Sequence, residues 1–190
     1  LNLKFSLVAL VFALVFSACD SKESNTTDEK VPEVINKTIK QDTKNTSFKL
    51  KTTNNETIKI IKDNETWSVE GYNEKIILLD FFATWCPPCK AEIPHLNNLY
   101  TKYKDQFEIV GILLENNKPN SEVQDFINEY SIKYTITNDQ KNQNLASIIG
   151  NVKSIPTMFL INLDGKIIQK YVGIVPEEML ASDIKRALKK

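Results

Sequence analysis

The stretch KIILLDFFA, residues 75–83, constrains the fold most. It is apolar at successive positions, so as a strand it belongs inside a sheet covered on both faces rather than on a half-wetted one. One acid, Asp80, interrupts it. FEIVGILL (107–114) has the same character. Between the two, Ile93, Leu96, Leu99, Tyr100 and Tyr103 recur at helical spacing. Ahead of them, FKLKT and TIKII alternate apolar and polar residues around TNNE, which predicts a β-hairpin. Downstream, SEVQDFINEYS predicts a helix capped by Ser121, YTITN a short strand, and NQNLASIIG a short helix ending at Gly150. TMFLINLDGKIIQKYVG predicts a hairpin turned at Asp164-Gly165, and PEEMLASDIKRALKK a closing amphipathic helix with Pro176 at its start. Strands alternating with helices predict an α/β fold around one central sheet.

The chemistry is concentrated directly after the first buried strand, in TWCPPCK. Cys86 falls at the start of the predicted helix, where free N–H groups and the helix dipole favour a thiolate. Cys89 lies nearly one turn later, close enough to form a disulfide with it. Pro87 and Pro88 occupy positions whose N–H groups would have no partner within the helix, and they stiffen the loop. Two bland readings compete. A zinc site wants four ligands, and the chain offers this pair plus one distant histidine, His95, read as a surface helix residue. A purely structural disulfide would close too short a loop to constrain the unfolded chain much. Redox use is the better reading, with the cysteine pair itself as the redox group and neither cofactor nor metal.

Two acids stand near the pair. Glu92 is three residues beyond Cys89, and helical side chains lean toward the N-terminus, so its carboxylate can reach back over that thiol. The alternative is an exposed helix acid. Asp80, if buried in its strand, should have a raised pKa suited to proton transfer; the alternative is a strand-end residue facing solvent. Pro94 falls inside the helix and should kink it.

The ends and charge bear on the compartment. There are 24 basic and 24 acidic residues, and Arg186 is the only arginine, so no basic stripe suggests a nucleic-acid partner. Residues 1–18, LNLKFSLVALVFALVFSA, have a lysine followed by an apolar run of signal-peptide length and then small residues, with a retained anchor helix as the alternative. Cys19 follows, and VFSAC resembles a bacterial lipoprotein box, with Phe16 standing where that pattern usually has leucine. Acylation of Cys19 would leave Cys86 and Cys89 as one pair in an exported protein. Residues 19–45 are polar and without apolar periodicity, a flexible tether, and 46–190 form the folded domain. Of five Asn-X-Ser/Thr triplets, the one at Asn25, within ESNTT, resembles the bacterial glycosylation acceptor.

LLDFFATWCPPCK together with SIPTMFLI resembles the thioredoxin superfamily, and within it the membrane-tethered TlpA/ResA branch that includes the CcmG reductases of cytochrome c maturation. The resemblance covers roughly residues 46–190, and residues 121–144 resemble the helix and strand which that branch inserts. It implies a thioredoxin-like fold with a central mixed sheet flanked by helices, an N-terminal hairpin and a central insert. It further implies that Cys86 attacks, that Cys89 resolves, and that Pro156 is a cis-proline facing Cys86, with the Ile155 backbone pairing with an extended substrate. Trp85 would flank the site. Asp80 matches the buried acid that exchanges a proton with the resolving cysteine in thioredoxins, a position where many TlpA-like relatives have an amide. Glu92 matches the acid this branch places beside the site.

The implied function is a lipid-anchored, monomeric thiol–disulfide reductase on the outer side of a bacterial membrane. Its substrates would be disulfide-bearing envelope proteins such as apocytochrome c, and a membrane donor of the DsbD/CcdA type would supply electrons. Two other readings remain. A DsbA-type oxidant typically carries histidine between its cysteines, and a Sco-like copper-binding module would want Cys-X-X-X-Cys with a distant histidine ligand.

Overall fold

The computed structural model describes residues 45–189. The expected leader, Cys19, Asn25 and all of the expected tether but Asn45 lie outside the described residues. Eight strands and four helices follow in the order β1 (Asn45–Lys51), β2 (Thr57–Asp63), β3 (Thr66–Val69), β4 (Ile76–Phe82), α1 (Pro87–Tyr103), β5 (Phe107–Leu113), α2 (Asn120–Glu129), β6 (Thr135–Thr137), α3 (Asn142–Gly150), β7 (Thr157–Ile161), β8 (Ile167–Val172) and α4 (Glu177–Leu188).

Five strands form a mixed sheet in the order β6-β5-β4-β7-β8, with β4 parallel to β5 and antiparallel to β7. Every residue of β4 and β5 is buried, as their uninterrupted apolar runs require. Alternation along β4 feeds two cores. Ile76, Leu78 and Phe82 pack with Ile93 and Leu96 of α1, Phe126 of α2 and Ile184 of α4. Ile77, Leu79 and Phe81 pack on the other face with α3 and with β1–β3, which form their own antiparallel sheet. Asp80 therefore belongs to the face that carries α1.

One local reading is extended and one needs correction. The predicted hairpin carries a third strand, β3, whose four residues TWSV are too few to show a period; Asn64, at φ 53°, makes the tight turn into it. Ser121 does not cap α2. The helix starts at Asn120 behind Pro119 without a side-chain cap, and the Asn120 amide instead donates to the Thr53 carbonyl at 2.7 Å. α3 ends at Gly150 as expected, and the residue that follows it, Asn151, is left-handed (φ 49°). A β-carbon at 150 would come within 3.1 Å of the Phe159 ring. The final hairpin turns at Asp164-Gly165 as expected, with Gly165 at φ 76°, and the Gly165 carbonyl accepts from the Trp67 N–H.

A buried amide ties α3 to the sheet. Asn142 donates to the carbonyls of Leu113 (2.8 Å) and Thr137 (3.1 Å) and accepts from the Thr137 hydroxyl (3.2 Å). Asn142→Ala takes the donor from two buried carbonyls, while the Thr137 hydroxyl keeps the Gly111 carbonyl as partner, so it should cost about 2–4 kcal/mol. Urea unfolding checks this: the midpoint should fall at an unchanged m-value. A loss under about 0.5 kcal/mol would mean that the network contributes nothing net.

Candidate active site

The active-site loop runs from the end of β4 into α1. Its geometry is held by backbone and side-chain bonds: the Cys86 N–H donates to the Ala83 carbonyl at 3.2 Å, and the Thr84 N–H donates to Glu115 Oε1 at 2.6 Å. Glu115 is itself paired with Lys118, 3.4 Å away. Cys86 is the N-cap of α1, and Pro87 and Pro88 follow as its first residues. Cys86 and Cys89 are joined in a disulfide with their Cα atoms 5.3 Å apart. The Cys89 N–H donates to Cys86 Sγ at 3.3 Å. Because neither proline has an N–H, this is the first backbone donor the helix can offer that sulfur.

Both sulfurs are sheltered in the disulfide: Cys86 is 2 % exposed and Cys89 4 %. An exposure difference between the two is thus absent from the oxidised protein, and what separates them is position, one at the helix cap and one inside its first turn. Trp85, by contrast, is 66 % exposed beside them. At the same end of the sheet, the Ile155-Pro156 bond is cis and immediately precedes β7, whose Thr157 lies opposite Phe81. The Gly173 N–H donates to the Pro156 carbonyl at 2.9 Å, and the Thr157 hydroxyl to the Ser154 carbonyl at 2.7 Å. Ile155 packs against the core that contains both cysteines.

The two acids lie in the elements on either side of the loop, Asp80 in β4 and Glu92 in α1, and both are buried. Asp80 is buried and its Oδ1 has no partner; burial, and secondarily the charge of Glu92, pushes its carboxyl up to about 8. Glu92 is also buried. Its Oε1 accepts from the Val175 N–H at 2.7 Å and its Oε2 has no partner. Burial pushes it up to about 7 against the lowering effect of that N–H. An acid with a pKa near neutrality can hold or release a proton at working pH. His95 is half-buried rather than a surface residue, and its Nδ1 has no partner. Pro94 lies inside α1, which continues to Tyr103. Among the described residues no group of three or more His, Cys, Asp or Glu side chains could hold a metal ion.

This constellation has recognisable relatives. The Redoxin family profile matches residues 27–188. The chain belongs to the Redoxin family. Thiol-disulfide oxidoreductase ResA of Bacillus thuringiensis (strain Al Hakam) is 36 % identical over 113 residues, a match covering 59 % of this chain and 63 % of that protein. The alignment thus spans a little under two thirds of that relative's length. A second ResA, from Bacillus thuringiensis subsp. konkukian, is 32 % identical over 130 residues, 67 % of this chain and 73 % of the relative. The crystal structure of StoA from Bacillus subtilis superimposes with a TM-score of 0.56 at 28 % identity, covering 72 % of this chain and 95 % of that one. This Redoxin-family chain is accordingly a member of the thioredoxin superfamily with the TlpA/ResA-like resemblance read from its motifs, and its fold is thioredoxin-like.

Sequence reasoning missed two contributors. Glu115 is the acid that ends the apolar run of β5, and that abrupt change of character was a readable signal. Val175 acts through its backbone, which a motif cannot show.

Proposed function

We propose that this protein is a thiol–disulfide oxidoreductase that uses the Cys86–Cys89 pair, without another cofactor, to reduce disulfides in other proteins. The observation that carries this reading is the disulfide closed at the start of α1, with two buried carboxylates, Asp80 in the preceding strand and Glu92 in the same helix, each with one unpaired oxygen. Similarity to proteins named thiol-disulfide oxidoreductase supports it.

In the reduced form the Cys86 thiolate attacks one sulfur of the substrate disulfide, forming a mixed disulfide and expelling the other sulfur as a thiolate. Cys89 then gives its proton to the acid pair and attacks Cys86 Sγ. This breaks the mixed disulfide and releases the second substrate sulfur as a thiolate. Two electrons have moved to the substrate, whose two sulfurs take up protons, and the protein is left as the Cys86–Cys89 disulfide. Trp85 and the Ile155-Pro156 loop border the place where the substrate chain would lie.

The direction favoured is reduction. Among the described residues one backbone N–H, that of Cys89, donates to Cys86 Sγ, and no histidine stands between the cysteines. The nearby carboxyls oppose further negative charge. All three leave the thiolate less stabilised than in an oxidant and the disulfide correspondingly favoured. The setting is the outer face of a bacterial membrane, with the protein anchored through Cys19 and recharged by a membrane donor of the DsbD/CcdA type. Apocytochrome c haem-attachment cysteines are the leading substrate.

Alkylation tests the division of labour. In the reduced full chain near neutral pH, a haloacetamide should label Cys86 well ahead of Cys89, because the helix cap favours the thiolate at Cys86. Preferential labelling of Cys89 would reverse the assigned roles.

A further inference from the structure

The hydrogen-bond ladder between β4 and β5 ends in an unusual rung. Phe82 is the register partner of Leu113, and the Leu114 N–H donates to the Phe82 carbonyl at 2.9 Å. In a parallel pair the next rung would take the Thr84 N–H to the Leu114 carbonyl. That N–H goes instead to the carboxylate of Glu115, reaching Oε1 at 2.6 Å. A side-chain oxygen has replaced a main-chain one, so the backbone can leave the sheet after Ala83 with this donor still paired. Thr84 is buried, and a buried backbone N–H without an acceptor is costly.

The acceptor is itself held in place. Glu115 Oε2 lies 3.4 Å from Lys118 Nζ, which also reaches Glu122 of α2 at 3.2 Å. The chain between Glu115 and Lys118 turns through a left-handed Asn117, at φ 56°. The connection from β6 to α3 pins that turn: Asn138 Nδ2 donates to the Lys118 carbonyl at 3.0 Å, and Gln140 Nε2 to Asn117 Oδ1 at 2.9 Å. Both carboxylate oxygens are therefore oriented before the active-site loop meets them. Two residues after Thr84 comes Cys86, whose own N–H donates to the Ala83 carbonyl and which caps α1. The turn into the cap is thus tied at two points, one of them Glu115.

We propose that Glu115 is a positioning residue for the attacking sulfur: by making the last rung from β5 to the loop, it fixes the turn that sets Cys86 at the cap of α1. It acts through the Thr84 backbone rather than on either cysteine. What the site requires is an acceptor oxygen at that place, so glutamine serves there and alanine does not. A role through charge alone has the opposite sign. Taking a negative charge from the neighbourhood of a thiolate favours the thiolate, so alanine and glutamine would then both make Cys86 more reactive.

The consequence for disulfide reduction rests on the proposed oxidoreductase reading, whereas alkylation needs no turnover and tests Glu115 by itself. The reduced full chain, Glu115→Ala and Glu115→Gln are treated with a haloacetamide near neutral pH, and the label on Cys86 is followed by mass. The alanine variant should react about tenfold more slowly, because a displaced cap sulfur loses helix-terminus support for its thiolate, and the glutamine variant should stay within about twofold of the parent. Single-turnover attack on a model disulfide should fall in the same ratio. Glu115→Ala reacting at the parent's rate overturns the assignment, even with a lowered thermal midpoint. So does glutamine as slow as alanine, or both faster than the parent. If the parent alkylates normally but reduces no disulfide, the oxidoreductase reading falls, and the alkylation rates still decide the role of Glu115.

Discussion

Replacing Cys86 by serine should abolish disulfide reduction, and replacing Cys89 by alanine should arrest it halfway, with substrate held on Cys86. The two outcomes differ because the two sulfurs do different work. A serine hydroxyl at the helix cap cannot ionise near neutrality, so no nucleophile remains, and turnover should drop by at least about three orders of magnitude. In Cys89→Ala the attacking thiolate is intact and still receives the helix-terminus field, but nothing can displace the substrate. One substrate chain per protein should then accumulate as a mixed disulfide, visible on a non-reducing gel and lost on adding dithiothreitol. Trapping in native cells would also identify the substrate. Efficient trapping through Cys89 in a Cys86→Ala variant would contradict the assigned order.

Asp80→Asn should slow the second step and stabilise the fold in alkali. The stability sign follows from burial. The Asp80 carboxyl moves from an ordinary 3.8 to about 8 in the folded protein, and Glu92 from 4.5 to about 7. Between those limits the unfolded chain has released its protons while the folded one retains them. The stabilisation from holding them is complete below about pH 4 and is lost as pH rises through about 7–8. An amide at position 80 removes the larger share of this slope. The variant should therefore exceed the parent by about 2–5 kcal/mol at pH 9, with little difference at pH 4. Resolution of a mixed disulfide should slow about tenfold or more near neutral pH, because the proton acceptor for Cys89 is gone, while alkylation of Cys86 is largely unaffected. Denaturation at the two pH values, with a single-turnover chase of a preformed mixed disulfide, measures both. Parallel pH–stability curves and an unchanged chase would leave Asp80 without the proposed role.

Features set by local chemistry were legible in the chain. Continuous apolar runs gave β4 and β5 and helical spacing gave α1, while the cis bond at Pro156 came from the resemblance that SIPT carries. The burial of Asp80 followed from its company in KIILLDFFA. What stayed hidden depends on residues distant in sequence. Four residues of β3 become a strand only by pairing with β2, and the start of α2 is set by Pro119 together with an amide reaching back to Thr53. Glu92 was foreseen as reaching toward Cys89, but its anchor on the Val175 N–H, 83 residues away, was not. The shelter of Cys86 in the disulfide likewise comes from surrounding packing, which the helix-cap motif alone does not report.

The direction of electron flow is decided by the reduction potential of the Cys86–Cys89 couple. The full chain, equilibrated in dithiothreitol redox buffers and quenched with an alkylating agent, should give a midpoint nearer the thioredoxin value of about −270 mV than the DsbA value of about −120 mV. A midpoint above about −180 mV, in the range of protein disulfide isomerase, would contradict the reductant and make the protein an oxidant.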